Sequence, residues 1–180
     1  MTSTSTASAT SVTSAASSIV LVNHSANVTI AVLESADDEA VEAFARLIPL
    51  LSTGAPIPDR ARVEKVLAHE ANTVFAARAL TPEADRRAGA IIGLATLVRL
   101  ELGTGTEARL EDVVVDESAR GAGVGRALAV AALEAAATRG ARYVDLTSAP
   151  HRAAARALYR SLGFEERETG VFRHRLEDYR

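Results

Sequence analysis

The chain has 180 residues and a mass of 18.9 kDa, enough for one α/β domain with a sizeable core and too few for a second full domain. A formal net charge of -3, 4% aromatic residues and no Trp argue against a nucleic-acid binder, which needs neutralised phosphates and stacking platforms. The absence of Cys excludes disulfides, a thiolate nucleophile and Cys-containing metal sites.

Residues 1–18 form a Ser/Thr/Ala-rich tract of low complexity, read as a tail ahead of a single domain over 19–180. The tract has neither the basic n-region nor the apolar h-region of a secretory signal, and the apolar runs are too short to span a bilayer. The expectation is a soluble, cytoplasmic protein with no membrane or nucleic-acid partner.

Two short apolar runs, Ile19–Val22 and Val28–Leu33, read as strands. Asp37–Leu51 reads as a helix, with Val41, Phe44, Leu47 and Ile48 at helical spacing, and Gly54-Ala55-Pro56-Ile57-Pro58 breaks it. Asp59 is a cap for a second helix carrying Val63, Val66 and Leu67. Strands are then expected at Asn72–Ala79, Ala90–Leu100 and Leu110–Val115, a mainly antiparallel meander with turns at Thr81–Arg87 and Gly103-Thr104-Gly105. An Ala/Leu-rich helix to about Arg139, a strand Tyr143–Thr147, a helix from about Arg152 to Ser161 and closing strands at Phe164 and Val171–Leu176 complete one α/β sandwich.

Between the meander and the Ala-rich helix lies Arg120-Gly121-Ala122-Gly123-Val124-Gly125. Glycines at a strand-to-helix junction let backbone N–H groups point into a gap, where the unpaired donors and positive dipole end of the helix join them. That is a pyrophosphate site in physical terms, although the same glycines could serve a tight turn alone. The dinucleotide fingerprint belongs to a first βα unit, whereas this segment follows several antiparallel strands. A P-loop requires Gly-Lys-Ser/Thr, and Gly125 is followed by Arg126-Ala127.

These residues resemble the GCN5-related N-acetyltransferase (GNAT) superfamily. Its motif Gln/Arg-x-x-Gly-x-Gly/Ala is matched by Arg120–Gly125 after the strand Leu110–Val115, and its following motif is matched by Ala155–Phe164. The resemblance covers about Val28 to Leu176 and implies a mixed, mostly antiparallel sheet with a splayed parallel strand pair, flanked by helices. It implies acetyl-coenzyme A as the acyl-donor cosubstrate. The pyrophosphate would meet Arg120, Gly121, Ala122, Gly123, Val124, Gly125 and Arg126, and the pantetheine arm would run beside Val113, Val114 and Val115. The splayed pair would be Glu111–Val115 and Tyr143–Thr147. Tyr159 takes the family's place of general acid, a phenol that stays protonated at neutral pH and can donate to a departing thiolate.

By the same resemblance Glu111 is the candidate base, directly or through water. Strict alternation puts it on the sheet face of Val113 and Val115, opposite Asp112 and Val114. The family commonly has an Asn near the position of Arg152; Arg152 or Arg156 stands in as a phosphate partner. The reaction implied is direct acetyl transfer to a primary amine of a small molecule or peptide, with a catalytically inert acyl-coenzyme A sensor or scaffold as the alternative. A homodimer is also expected. His24, His69, His151 and His174 have no ligand-spaced companions, so no metal site is expected.

Overall fold

The computed structural model describes residues 20–23, 25–51, 54, 56–82 and 87–176. The tail over 1–18, Ile19 and most of the expected turn Thr81–Arg87 fall outside the described residues. The chain divides into two compact units, Met1–Thr147 and Ser148–Arg180.

In the first unit the described strands are β1 (Val20–Asn23), β2 (Val28–Val32), β3 (Asn72–Ala79), β4 (Ile91–Leu102), β5 (Gly105–Val115) and β6 (Val144–Asp145). They form one sheet in the order β1-β2-β3-β4-β5-β6, antiparallel except for the parallel β5/β6 pair. The helices are α1 (Asp38–Leu47), α2 (Arg60–Leu67) and α3 (Val124–Thr138). α1 and α2 both start on an aspartate whose carboxylate accepts an amide of the first turn: Asp37 from Ala40 and Asp59 from Arg62, each at 2.8 Å. α1 ends at Leu47, where Pro49 enters a short 3-10 turn over Ile48–Leu50, so the expected helix to Leu51 is shorter than its apolar periodicity.

Ala40, Ala43, Phe44 and Leu47 of α1 and Val63 of α2 bury against Val74, Ala76, Ile91, Leu94 and Val114, forming the core on one face of the sheet. Phe75 alternates with Val74 and Ala76, which turns it to the other face, where α3 packs. α3 lays Ala127, Leu128, Ala131, Ala132 and Ala135 against that face. Its small side chains bring helix and sheet close together, and Gly93 of β4 lies under this contact. A Cβ there would lie 3.0 Å from Leu128 Cδ1, 3.1 Å from the Val114 carbonyl oxygen and 3.3 Å from Val124 Cγ1. Gly93→Ala is therefore expected to destabilise the protein, because overpacking costs about 1–3 kcal/mol and removing a strand glycine recovers at most about 1 kcal/mol. Urea unfolding should show a lower midpoint with an unchanged slope.

The second unit holds α4 (Ala153–Ser161) and the segment 162–176. The strands expected at Phe164 and Val171–Leu176 are absent among the described residues. Val171, Phe172 and Leu176 are 77%, 98% and 77% exposed, and a strand needs a ladder partner, which they lack among the described residues. The expected strand Tyr143–Thr147 likewise contracts to Val144–Asp145.

Candidate active site

The site grows from an irregularity in β5. Glu111 pairs with Thr96 and Val114 pairs with Leu94, so Asp112 and Val113 together stand opposite the single residue Ala95. This is a β-bulge, with Asp112 in the left-handed region at φ +52°. Its effect on facing overturns the alternation expected from the sequence. Thr96 and Leu94 lie two apart on one strand and share a face, so Glu111 shares the α1/α2 face with buried Val114 rather than with Val113 and Val115. No glycine or proline marks the bulge in Glu111-Asp112-Val113-Val114-Val115, which leaves it without a sequence signal.

On that face the half-exposed Glu111 accepts a 2.9 Å hydrogen bond from Arg109 Nε, two residues back along the same strand. Asp112 is solvent-exposed as a residue, yet partial desolvation of its carboxyl raises the pKa above the ordinary 3.8. The adjacent Glu111 charge adds to the rise, and Arg62 of α2 opposes it.

β5 and β6 pair only at Ala108 with Val144 and Arg109 with Asp145. Past those residues β6 ends, while β5 continues for six more with no ladder on that side, leaving this edge unpaired from just before Glu111. The Asp116 amide donates to the Ile92 carbonyl at 2.8 Å. By alternation, Val113 and Val115 present their backbone N–H and C=O groups to the opposite, open edge.

At the end of this edge the chain turns through a 3-10 turn over Glu117–Ala119, capped by Asp116, whose carboxylate accepts from the Ser118 amide at 3.1 Å and hydroxyl at 2.7 Å. Arg46 of α1 ion-pairs with Asp116 and donates to the Ile91 carbonyl at 2.6 Å, tying the start of the glycine segment to the sheet. Gly121 and Gly123 follow at φ +81° and +84°, conformations that L side chains rarely adopt. Gly123 caps α3, and the first helical hydrogen bond runs from Ala127 N–H to the Gly123 carbonyl at 3.0 Å. The amides of Val124 and Gly125 precede it and point out of the helix's positive end. A Cβ at Gly121 would meet nothing within 4 Å, so there is open space beside this glycine. Arg120 is exposed and pairs with Glu117 at 3.3 Å.

Val113–Val115 and Arg120–Arg126 thus form one continuous path within the first unit. The remaining candidates belong to the second. Tyr159 is half-buried on α4, its ring edge-on to Phe164 with centroids 5.7 Å apart. Burial raises its phenol above the ordinary 10.0, against the lowering charge of Arg152. Arg156 donates to the Ser148 carbonyl at 3.2 Å and to Glu166 at 2.6 Å. Arg160 also engages Glu166, and these arginines hold the Glu166 carboxyl below the ordinary range. Arg156 therefore has a structural partner of its own. Among the described residues no group of three or more His, Cys, Asp or Glu could hold a metal ion, and no helix is long and apolar enough to cross a membrane.

Residues 44–164 match the model of the acetyltransferase (GNAT) family. The chain belongs to this family. The match takes in the bulge, the glycine segment and the motif of α4. A mycothiol acetyltransferase from Amycolatopsis mediterranei is 48% identical over 59 residues, which are 33% of this chain and 20% of that relative, so the chain matches only a fifth of the curated relative's length. Among solved structures, an acetyltransferase from Trypanosoma brucei is 26% identical with a TM-score of 0.65, over 82% of this chain and 99% of that one. AAC(6')-Iy in complex with the bisubstrate analogue CoA-S-monomethyl-acetylneamine shares the fold, at 24% identity and a TM-score of 0.63, over 81% and 96% of the two chains. The mixed, mostly antiparallel sheet flanked by helices is the GNAT fold.

Proposed function

We propose that this GNAT-family chain transfers the acetyl group of acetyl-coenzyme A directly to a primary amine of a small molecule or peptide. The observation that carries the reading is the continuity of the open β5 edge with the glycine turn and the start of α3. The residues present suit the donor. An elongated amide-bearing arm can pair with Val113 and Val115 as an added strand would, and a pyrophosphate suits the N–H groups of Gly121–Arg126. Gly121 leaves the approach clear. The coenzyme A bisubstrate analogue held by AAC(6')-Iy supports the same ligand on the same fold. When bound, acetyl-coenzyme A supplies an acetyl group activated as a thioester.

The chain's own part is positioning and proton transfer. An amine must be neutral to attack a carbonyl, so a group near the mouth of the open edge has to take its proton. Glu111 is assigned that task, directly or through one water. Asp112 is the second reading, favoured by its raised pKa and its place in the bulge. Tyr159 donates its phenolic proton to the departing sulfur, and Arg152 or Arg156 is the phosphate partner that the family resemblance implies. The reaction needs no metal-ligating group from the chain. We place the protein in the cytoplasm and take a homodimer as its working assembly.

The reading is tested by incubating the purified protein with acetyl-coenzyme A and a broad panel of primary amines while following free thiol. Amine-dependent thiol release is expected; coenzyme A binding without it would make the chain an acyl-coenzyme A sensor or scaffold. In the same assay Glu111→Gln is expected to lower kcat/KM by about 10²-fold, the lower end of general-base contributions. If Asp112→Asn shows the larger loss, the base is Asp112.

A further inference from the structure

The strand opening has a closed end, and its construction is specific. Only two residue pairs join β5 to β6, and two residues just before β6 lock them at their foot. The Arg142 amide donates to the Thr106 carbonyl at 3.0 Å, and the Ala108 amide donates to the Tyr143 carbonyl at 3.1 Å. Glu107, whose side chain is only 14% exposed, takes a 2.9 Å bond from Arg142 and a second bond from the Tyr143 hydroxyl. The Arg142 guanidinium lies 5.5 Å from the centroid of the Tyr143 ring. Gly105, at φ +123°, makes room for this arrangement: a Cβ there would lie 3.2 Å from Arg142 Nε.

We propose that Glu107, Arg142 and Tyr143 are positioning residues that clamp β6 to β5 and thereby set the width of the strand opening that receives the donor's pantetheine arm. The proposal rests on the reading of that opening as the acetyl-coenzyme A site. A ladder of two pairs is too short to hold a strand in register alone. Two bonds to one carboxylate from successive residues of the incoming chain fix both its distance and its rotation, since a charged acceptor gives the stronger bonds. Tyr143 shows the coupling: its hydrogen bond to Glu107 raises the phenol above its ordinary value, with the neighbouring carboxylate charge acting in the same sense. The clamp lies at the pantetheine end and not at the glycine turn, so its loss should be felt by one part of the donor only.

Two probes separate the parts. Coenzyme A carries the pantetheine arm, whereas 3'-phosphoadenosine 5'-diphosphate carries only the phosphates and base. By calorimetry, Glu107→Ala is expected to weaken coenzyme A binding about tenfold, the scale of a lost charged hydrogen bond, while leaving the nucleotide probe's affinity unchanged. Tyr143→Phe, which removes one exposed hydroxyl, should show the same pattern at smaller size and add nothing in the Glu107→Ala background. Equal affinity of wild type and both variants for coenzyme A would overturn the clamp, and so would parallel weakening of both probes. A wild-type protein that binds neither probe would instead overturn the donor-site reading on which the clamp depends.

Discussion

Gly123→Val is expected to abolish measurable coenzyme A binding in a protein that still unfolds cooperatively. Gly123 sits at φ +84° and its carbonyl accepts the first hydrogen bond of α3 from Ala127. A β-branched residue avoids that conformation at a cost of about 1–2 kcal/mol, so the chain escapes by rotating the peptide that begins the helix. The rotation turns the Val124 and Gly125 amides away from the proposed phosphate position. Each N–H bond to a charged phosphate oxygen is worth about 1.5–3 kcal/mol, and losing two costs about 10²–10⁴ in affinity. Gly121→Ala provides the control: its Cβ would meet no atom within 4 Å, so only backbone strain is introduced and a loss of about tenfold is expected. Calorimetric titration with coenzyme A checks both. Wild-type affinity in Gly123→Val would remove the phosphates from this turn.

The parts of the protein that are local in origin are the parts legible in its sequence. Asp37 and Asp59 mark two helix starts because a carboxylate three residues ahead of an amide caps it whatever surrounds it. β3 spans Asn72–Ala79 as its composition predicts, and the glycine turn sits where Gly121, Gly123 and Gly125 announce it. What depends on partners distant in sequence is not legible. The facing of Glu111 was set by a bulge opposite Ala95, and nothing in Glu111–Val115 shows that two residues there must share one partner. Gly93 reads as one more strand residue until Leu128 and Val124 close over it. Arg46 and Asp116 are seventy positions apart, and their ion pair is visible only once α1 lies against the sheet. Val171, Phe172 and Leu176 have strand-like composition, but composition cannot supply a neighbour to hydrogen-bond.

Tyr159, the proposed proton donor, gives the second test. Tyr159→Phe is expected to lower kcat about 10²-fold or more while leaving coenzyme A affinity within a factor of about three, because a proton donor acts only as charge develops on the leaving sulfur. The size of the ring is preserved, so its edge-on packing against Phe164 survives the change. The sign of the pH effect follows from the direction of the shift. Burial raises the phenol above its ordinary 10.0, so below that pH it is protonated in both the folded and the unfolded chain and contributes no pH dependence to stability. Above pH 10 the unfolded chain loses this proton first, and stability falls as pH rises. For activity, kcat/KM should climb as the acceptor amine loses its proton, with no falling limb below about pH 10. A thiol-release profile that falls between pH 7 and 9 would place the essential acid on another group. An unchanged kcat in Tyr159→Phe would leave the ring with packing alone.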